Sequence, residues 1–124
     1  MCADHGETDP GRRAEDRACR YLRRHGYRIV QRNWRCRLGE LDIIARDGDV
    51  LAVVEVKLRR SGAFGGPEGA LSPMQCRRIR AATGVFLAAT ACDLPVRFDL
   101  VAIDGVEVRL HRDAFRADGC SRGF

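Results

Sequence analysis

The sequence predicts an α/β fold, in which two helices flank a mixed β-sheet of four or five strands. Three observations predict it: apolar residues at helical spacing near the N-terminus, short apolar runs joined by Asp-Gly turns, and a second helical pattern after Ser72-Pro73. A chain of 124 residues is long enough for one domain with a hydrophobic core and too short for two. We therefore expect one domain at residues 11–115, with disordered tails at 1–10 and 116–124.

The first helix is predicted from about Pro10 to His25. Its apolar residues recur at helical spacing and form one face: Ala14, Ala18, Tyr21 and Leu22. Glu15 lies near the edge of this face and has two interpretations. It is either a first-turn acid favoured by the helix dipole, or a carboxylate that points over the sheet toward Asp42. Gly26 then ends the helix.

The predicted strands lie on either side of the second helix. Three precede it and two follow it, at 27–34, 40–44, 50–56, 96–103 and 106–110. Asp47-Gly48-Asp49 and Asp104-Gly105 have the chemistry of tight hairpin turns. We expect Trp34 to pack in the core rather than to stack on a base, and Asp99 to hold an arginine structurally.

The second helix is predicted to begin after Ser72 as its N-cap, with Pro73 as its first residue, and to end at about Thr90. Gln75 follows Ser72 by three residues, so the two fit a capping box. Gln75 also lies one turn before Ile79 on the inward face of the helix. The alternative to the cap is therefore a side chain that faces the sheet.

Charged residues interrupt two adjacent apolar strands, which is unusual because unpaired buried charge is costly. Glu40 and Asp42 share one face of the first strand, since side chains alternate. Glu55 and Lys57 share one face of the next. If the hairpin pairs those faces, three acids and one amine converge; the alternative is a surface ion pair on a half-exposed strand. Of the 22 lysine and arginine residues, only Lys57 is a lysine, whose compact ammonium does different chemistry from a guanidinium.

Asp42, followed after a hairpin by Glu55-Val56-Lys57, resembles the D…(D/E)xK signature of the restriction-endonuclease-like nuclease superfamily. Further blocks are similar to the small bacterial YraN family: Gly39-Glu40-Leu41-Asp42, Val54-Glu55-Val56-Lys57, Arg59, Phe64-Gly65 and Arg97-Phe98-Asp99. That family is described as one of candidate endonucleases, related in fold to archaeal Holliday-junction resolvases and without a firmly assigned biological role. The resemblance runs from about Gly11 to about Phe115. It implies a restriction-endonuclease-like core with a central mixed sheet in αβββαβ order.

The resemblance also implies a metal-dependent site. Asp42 and Glu55 would bind Mg²⁺ or Mn²⁺, with the backbone carbonyl of Val56 as a third ligand. Glu15 matches the position of a first-helix glutamate that helps to bind metal in the related resolvases. Lys57 would hold or deprotonate the attacking water. Two further residues are candidate supports for the site, Glu40 and Gln75.

Positive charge is concentrated in two parts of the chain. The net charge is +5, ten arginines lie between Gly11 and Glu40, and a second cluster lies at 77–80. Such uneven charge indicates a polyanionic partner, most simply nucleic acid; a solvated arginine-rich face is the alternative. The candidate phosphate contacts are Arg59 and Arg60, which begin a glycine-rich loop predicted at 58–71, together with Arg77 and Arg78. We expect DNA, although phosphate contacts alone do not distinguish DNA from RNA.

The remaining features concern the cysteines, the cellular compartment and the oligomeric state. None of the six cysteines lies within four residues of another, so a zinc site of the paired CxxC type is not expected. The sequence has no apolar export signal and no apolar run near the ~20 residues that span a bilayer. We expect a cytoplasmic protein with free thiols and no membrane partner. A homodimer is an open alternative to a monomer.

These observations predict a metal-dependent nuclease that hydrolyses phosphodiester bonds in DNA. Branched or repair intermediates are the substrates that the resolvase resemblance implies. The alternative is a non-catalytic nucleic-acid-binding accessory protein of a repair or replication complex, which retains the nuclease fold.

Overall fold

The computed structural model of the protein describes residues 10–59 and 71–115, without the side chain of Arg59. Its elements are α1 (Pro10–Arg24), β1 (Arg28–Cys36), β2 (Gly39–Asp47), β3 (Val50–Arg59), α2 (Pro73–Thr90), β4 (Val96–Asp104) and β5 (Glu107–Phe115). The expected α/β class is confirmed, and the elements follow the expected αβββαβ order with one further strand at the end, so the sheet has five strands. Pro10, the last residue of the predicted N-terminal tail, begins α1, whereas the rest of the predicted tails and most of the predicted glycine-rich loop lie outside the described residues.

The five strands lie side by side in the order β1-β2-β3-β4-β5. All neighbours pair antiparallel except β3 and β4, which pair parallel. Parallel neighbours need a long crossover, and α2 lies within this one. The mixed sheet therefore has β3 at its centre, and β3 carries the Glu-Val-Lys segment.

Each face of the sheet is covered by one helix. The helix α1 packs over Val54 and Val101, whereas α2 packs over Val53 and Leu100. Because successive residues of a strand point to opposite faces, these are two separate apolar layers. Trp34 packs against the α2 layer, where its ring meets the ring of Phe86 edge to face, with centroids 5.4 Å apart. The expectation that Trp34 packs in the core is confirmed.

The ends of the elements decide two of the interpretations left open by the sequence. Ser72 accepts a hydrogen bond from the backbone of Gln75, whose side chain accepts one from the backbone N–H of Ser72, so the capping box is confirmed. The helix α1 begins at Pro10 and has no acid in its first turn. The interpretation of Glu15 as a first-turn acid is therefore wrong.

The last strand is longer than the sequence pattern indicated. We expected it to end at Leu110, but β5 continues to Phe115, which pairs with Phe98 of β4. The two phenylalanine rings are stacked, with centroids 4.8 Å apart. A left-handed residue, Asp113 at φ 56°, lies within this extension and breaks the alternation that a periodic pattern needs.

A buried polar network joins the β2–β3 turn to β4 and β5. Asp99, which is 0% exposed, accepts two 2.8 Å hydrogen bonds from the guanidinium of Arg97 and one from the hydroxyl of Tyr27. The backbone N–H of Asp113 donates to it as well, at 2.9 Å. Arg97 also contacts Asp47 at 2.8 Å. Asp99 thus holds an arginine structurally, as the sequence indicated.

Two further expectations concern thiols and membranes. The cysteines that the structure describes, Cys19, Cys36, Cys76 and Cys92, are free. In the described part of the chain, no helix combines the length and apolar character needed to cross a bilayer.

Candidate active site

The candidate site lies where β2 and β3 separate. Their register runs from Asp47↔Val50 at the turn to Ile43↔Val54. One residue further on, the side chain of Asp42 enters between the strands: its Oδ2 accepts a 2.9 Å hydrogen bond from the backbone N–H of Val56. The backbone N–H of Asp42 in turn lies 3.5 Å from Oε2 of Glu55. The structure therefore brings the first acid and the Glu-Val-Lys segment into direct contact.

The two carboxyl groups are electrostatically coupled. Burial is the largest cause that raises the pKa of Asp42, and the charge of Glu40 raises it further. The pKa of Glu55 is raised well above its ordinary value, by burial first and by the charge of Asp42 second. The positive charge of Lys57 lowers both pKa values. Burial alone would keep the two carboxyl groups neutral, and the charge of Lys57 partly offsets that effect.

Two cavities open on opposite faces of this point. A cavity of about 290 Å³ on the α1 face is lined by Gly11, Arg12, Glu15, Asn33, Arg35, Glu40 and Asp42. One of about 530 Å³ on the α2 face is lined by Arg35, Cys36, Gly39, Glu40, Glu55, Gln75, Arg78 and Ile79. We call them the α1-face cavity and the α2-face cavity. The two acids line different cavities, so they meet at the opening between the strands rather than on one face as the alternation predicted.

Glu15 is directed into the α1-face cavity together with Asp42. Its side chain is 16% exposed and lies 3.6 Å from the guanidinium of Arg32. Burial raises the pKa of Glu15 most, a hydrogen bond from Asn33 lowers it, and the charge of Asp42 raises it. Arg32 contacts Asp16 more closely, at 2.7 Å. The structure thus places Glu15 within electrostatic reach of Asp42, on the sheet side of α1.

The other predicted residues lie around the α2-face cavity. Gln75 lines this cavity while it caps α2, so one side chain occupies both predicted positions. Arg78 lines it as well, whereas Arg77 is exposed on α2. A Cβ at Gly39 would lie 3.1 Å from the carbonyl oxygen of Arg78, so glycine allows α2 to approach the start of β2. The side chain of Arg59 and all of Arg60 lie outside the described residues.

Comparison with known proteins identifies the family. The model of "Uncharacterised protein family UPF0102" matches residues 14–103. The chain belongs to this family. A UPF0102 protein of Dechloromonas aromatica is 45% identical over 117 residues, which are 94% of this chain and 96% of the relative. One of Syntrophus aciditrophicus is 44% identical over 110 residues, 85% of this chain and 87% of the relative. UPF0102 is the YraN family, so the resemblance drawn from the sequence blocks is confirmed.

The donor set of this UPF0102 chain fits a largely hydrated Mg²⁺. Asp42 and Glu55 supply two coupled carboxylates whose mutual repulsion a cation would relieve, and Mg²⁺ commonly takes one or two carboxylates and several waters. Oδ2 of Asp42 accepts a hydrogen bond from the backbone N–H of Val56, and the side chains of Asp42 and Glu55 are hydrogen-bonded to each other, a contact that a bound cation would replace. Among the residues that the structure describes, no group of three or more His, Cys, Asp or Glu side chains is arranged to hold a metal ion.

Sequence reasoning missed two residues of the site, Asn33 and Arg35. Both line the α1-face cavity, and Arg35 lines the other cavity too. The alternation around Trp34 could have indicated them. If the tryptophan points into the core, the residues directly before and after it, Asn33 and Arg35, point to the other face of the strand. Asn33 has a left-handed backbone, φ 53°, which asparagine tolerates better than most residues. The periodicity of the strand does not reveal that irregularity.

Proposed function

We propose that this UPF0102 protein is a metal-dependent nuclease that hydrolyses phosphodiester bonds in DNA. Branched DNA and repair intermediates are the substrates that its resolvase-like signature favours. The observation that carries the proposal is the contact of Asp42 with the Glu55-Val56-Lys57 segment at the opening between β2 and β3. A purely structural ion pair needs one carboxylate and one ammonium. A second part-buried carboxyl group beside them adds a desolvation cost without adding a partner.

The residues would divide the chemistry among them. Asp42 and Glu55 would hold Mg²⁺ or Mn²⁺, with the carbonyl of Val56 nearby. The ion, when bound, supplies positive charge beside the scissile phosphate. Lys57, whose charge acts on both carboxyl groups, would hold or deprotonate the attacking water. Glu15 would extend the acidic group from the α1 side, since it shares a cavity with Asp42.

The surrounding charge supports a nucleic-acid substrate. Arginines border each cavity, Arg12 and Arg35 on the α1 face and Arg35 and Arg78 on the α2 face. More arginines are exposed along α1 and on β1: Arg13, Arg20, Arg23, Arg24 and Arg28. A phosphodiester backbone would approach such a surface with favourable electrostatics and release counterions on binding.

A second candidate function is that of a nucleic-acid-binding accessory protein that does not cut. The exposed arginines of α1 and β1 favour it, because they would bind phosphates whether or not the acids hold a metal. The two functions differ in what the buried acids do. In the accessory protein, Asp42→Asn would have no cleavage to abolish, whereas in the nuclease it would remove cleavage.

The test is a cleavage assay with linear, nicked and four-way DNA, with and without Mg²⁺ or Mn²⁺. We expect cleavage only with a divalent ion, and we expect Asp42→Asn to abolish it. Asp49→Asn is the matched control, because Asp49 is an exposed acid of the β2–β3 turn.

The possible results separate the two functions. Cleavage by the parent and by Asp49→Asn, but not by Asp42→Asn, supports the nuclease. Salt-dependent binding without cleavage under any of these conditions supports the accessory protein. A chain that neither binds nor cuts any of these substrates contradicts both.

A further inference from the structure

An ion pair lies at the junction of the two cavities. Arg35 of β1 and Glu40 of β2 are direct cross-strand partners, and Nε of Arg35 lies 3.0 Å from Oε1 of Glu40. Their side chains are 74% and 59% exposed. Both residues line the α1-face cavity and the α2-face cavity. The pair therefore stands between the two openings that flank Asp42 and Glu55.

The pair contains an arginine at a point where the other nearby groups are mostly acids. The charge of Glu40 raises the pKa of Asp42, so the carboxylate of Glu40 lies close enough to act on the site itself. Arg35 is the only cationic side chain that lines both cavities among the residues described around them. Arg12 and Arg78 each line one. A phosphate-bearing strand that passes from one cavity to the other would meet Arg35 on either route.

We propose that Arg35 is a phosphate-binding residue at the candidate active site and that Glu40 is the competitor that holds it when no nucleic acid is bound. This inference rests on the proposed function only in that the ligand is a nucleic-acid strand. Binding exchanges one anionic partner of the guanidinium for another: the Arg35–Glu40 contact opens, and a phosphate oxygen takes the place of the carboxylate.

The exchange is physically reasonable because the resident contact is weak. Exposed ion pairs contribute little to stability, since water and salt screen them. A guanidinium presents a planar fork that matches phosphate oxygens, and such charge-assisted contacts are stronger when they are bidentate. In the structure Nε of Arg35 lies 3.0 Å from Oε1 of Glu40, and both side chains are mostly exposed to solvent, so a phosphate can reach the guanidinium. Glu40 competes with the phosphate for the guanidinium of Arg35, so removal of the Glu40 charge should help binding as long as Arg35 is present.

The experiment measures the affinity for a short fluorescent single-stranded DNA in EDTA, by anisotropy across a series of salt concentrations. Arg35→Ala should weaken binding by about tenfold and lower the slope of log affinity against log salt by about one. Arg35→Lys, which keeps the charge but loses the fork, should fall between parent and Arg35→Ala. Arg109→Ala is the matched control: Arg109 is an exposed arginine that also pairs with a glutamate, Glu107, on β5 at the other edge of the sheet, and we expect it to change affinity by less than about twofold.

Glu40→Gln provides the decisive second arm. In the parent background it should tighten binding by about two- to fivefold, because Arg35 no longer has a competing partner. In the Arg35→Ala background it should have no such effect. This double-mutant cycle separates release of Arg35 from a general loss of negative charge. Thermal melts of every variant verify folding; if Arg35→Ala fails to fold, Arg35→Lys and Glu40→Gln still carry the test.

Three results would overturn the inference. The first is an affinity of Arg35→Ala that matches that of Arg109→Ala within twofold while the parent binds DNA, which removes Arg35 but leaves the proposed function intact. The second is equal tightening of binding by Glu40→Gln with and without Arg35, which shows a non-specific charge effect. A parent chain that binds no DNA at any salt concentration contradicts both this inference and the proposed function.

Discussion

The backbone N–H of Val56 donates a 2.9 Å hydrogen bond to Oδ2 of Asp42, at the point where the paired register of β2 and β3 has ended. A side chain thus takes the position that a strand carbonyl would otherwise occupy. The bond fixes the orientation of Asp42 and keeps the Glu55-Val56-Lys57 segment beside it. It also lowers the pKa of Asp42, against the larger effect of burial. The fold therefore holds the carboxylate in place before any ligand arrives.

The first prediction concerns the stability of the acid pair. The pKa of Glu55 in the folded chain is raised. Neutral Glu55 therefore contributes stability that is complete below the ordinary pKa of 4.5. This contribution is lost as the pH rises through the raised pKa, because the folded chain must then hold the ionised carboxylate. Glu55→Gln removes this cost. Without metal, we expect Glu55→Gln to melt at a higher temperature than the parent at neutral pH, and the difference to vanish at about pH 4.

The same melts test metal binding. Added Mg²⁺ should raise the melting temperature of the parent, because a ligand that binds only the folded state stabilises it. It should not raise that of Glu55→Gln. Glu107→Gln is the control, since Glu107 is exposed on β5 and should follow the parent. If the melting temperatures of Glu55→Gln and the parent depend on pH in the same way, folding does not raise the pKa of Glu55.

The second prediction concerns Glu15. If it acts at the site, Glu15→Gln should raise the Mg²⁺ concentration that gives half-maximal stabilisation by about tenfold, as losses of residues around a metal site often do. Asp16→Asn is the control: Asp16 contacts the same arginine, Arg32, but does not line the cavity. Equal Mg²⁺ dependence of the two variants would restrict Glu15 to the ion pair with Arg32.

The third prediction concerns the ionisation of Tyr27. Burial and the neighbouring Asp99 carboxylate raise its pKa to about 12. Since this pKa is raised, the stability that neutral Tyr27 contributes is complete below its ordinary pKa of 10 and is lost between about pH 10 and 12. In the absorbance difference between the parent and Tyr27→Phe, we expect the tyrosinate transition near pH 12. A transition near pH 10 in that difference would show that the buried hydrogen bond to Asp99 is not formed.

The fourth prediction concerns Asp99. Asp99→Asn removes the buried charge that two hydrogen bonds of Arg97 satisfy, so the variant should lose about 3 kcal/mol of unfolding free energy. Asp93→Asn, an exposed aspartate that follows α2, should change it by less than about 0.5 kcal/mol. Urea denaturation measures both. If Asp99→Asn is as stable as Asp93→Asn, the hydrogen bonds of Asp99 do not stabilise the contact between the β2–β3 turn and β4.

Much of this fold follows from local sequence signals. Ser72, Pro73 and Gln75 specify the start of α2 by capping chemistry, which acts within a few residues. Gly48 and Gly105 have φ values of 63° and 62°, the left-handed conformations that their Asp-Gly turns demand. The continuous apolar run at the start of β3 and the near-continuous one in β4 likewise reflect the burial of these strands on both faces.

The features that the sequence did not predict depend on non-local geometry. The opening between β2 and β3 directs Asp42 and Glu55 into cavities on opposite faces, which strict alternation cannot indicate. The extension of β5 requires the pairing of Phe115 with Phe98 in another strand. Arg35 is one of many arginines in the chain, and only its position between the two cavities distinguishes it.

The central claim is that Lys57 acts on the water that attacks the phosphodiester bond, and Lys57→Arg tests it most directly. The substitution conserves charge, so DNA affinity should stay close to that of the parent; a guanidinium cannot serve as a base, so the single-turnover cleavage rate with Mg²⁺ should fall by ~10²–10⁴-fold. Glu55→Gln should fail differently, with cleavage partly restored at high metal concentration. If Lys57→Arg binds DNA and cuts it as fast as the parent, Lys57 is an ion-pair partner of the acids and the account of catalysis is wrong.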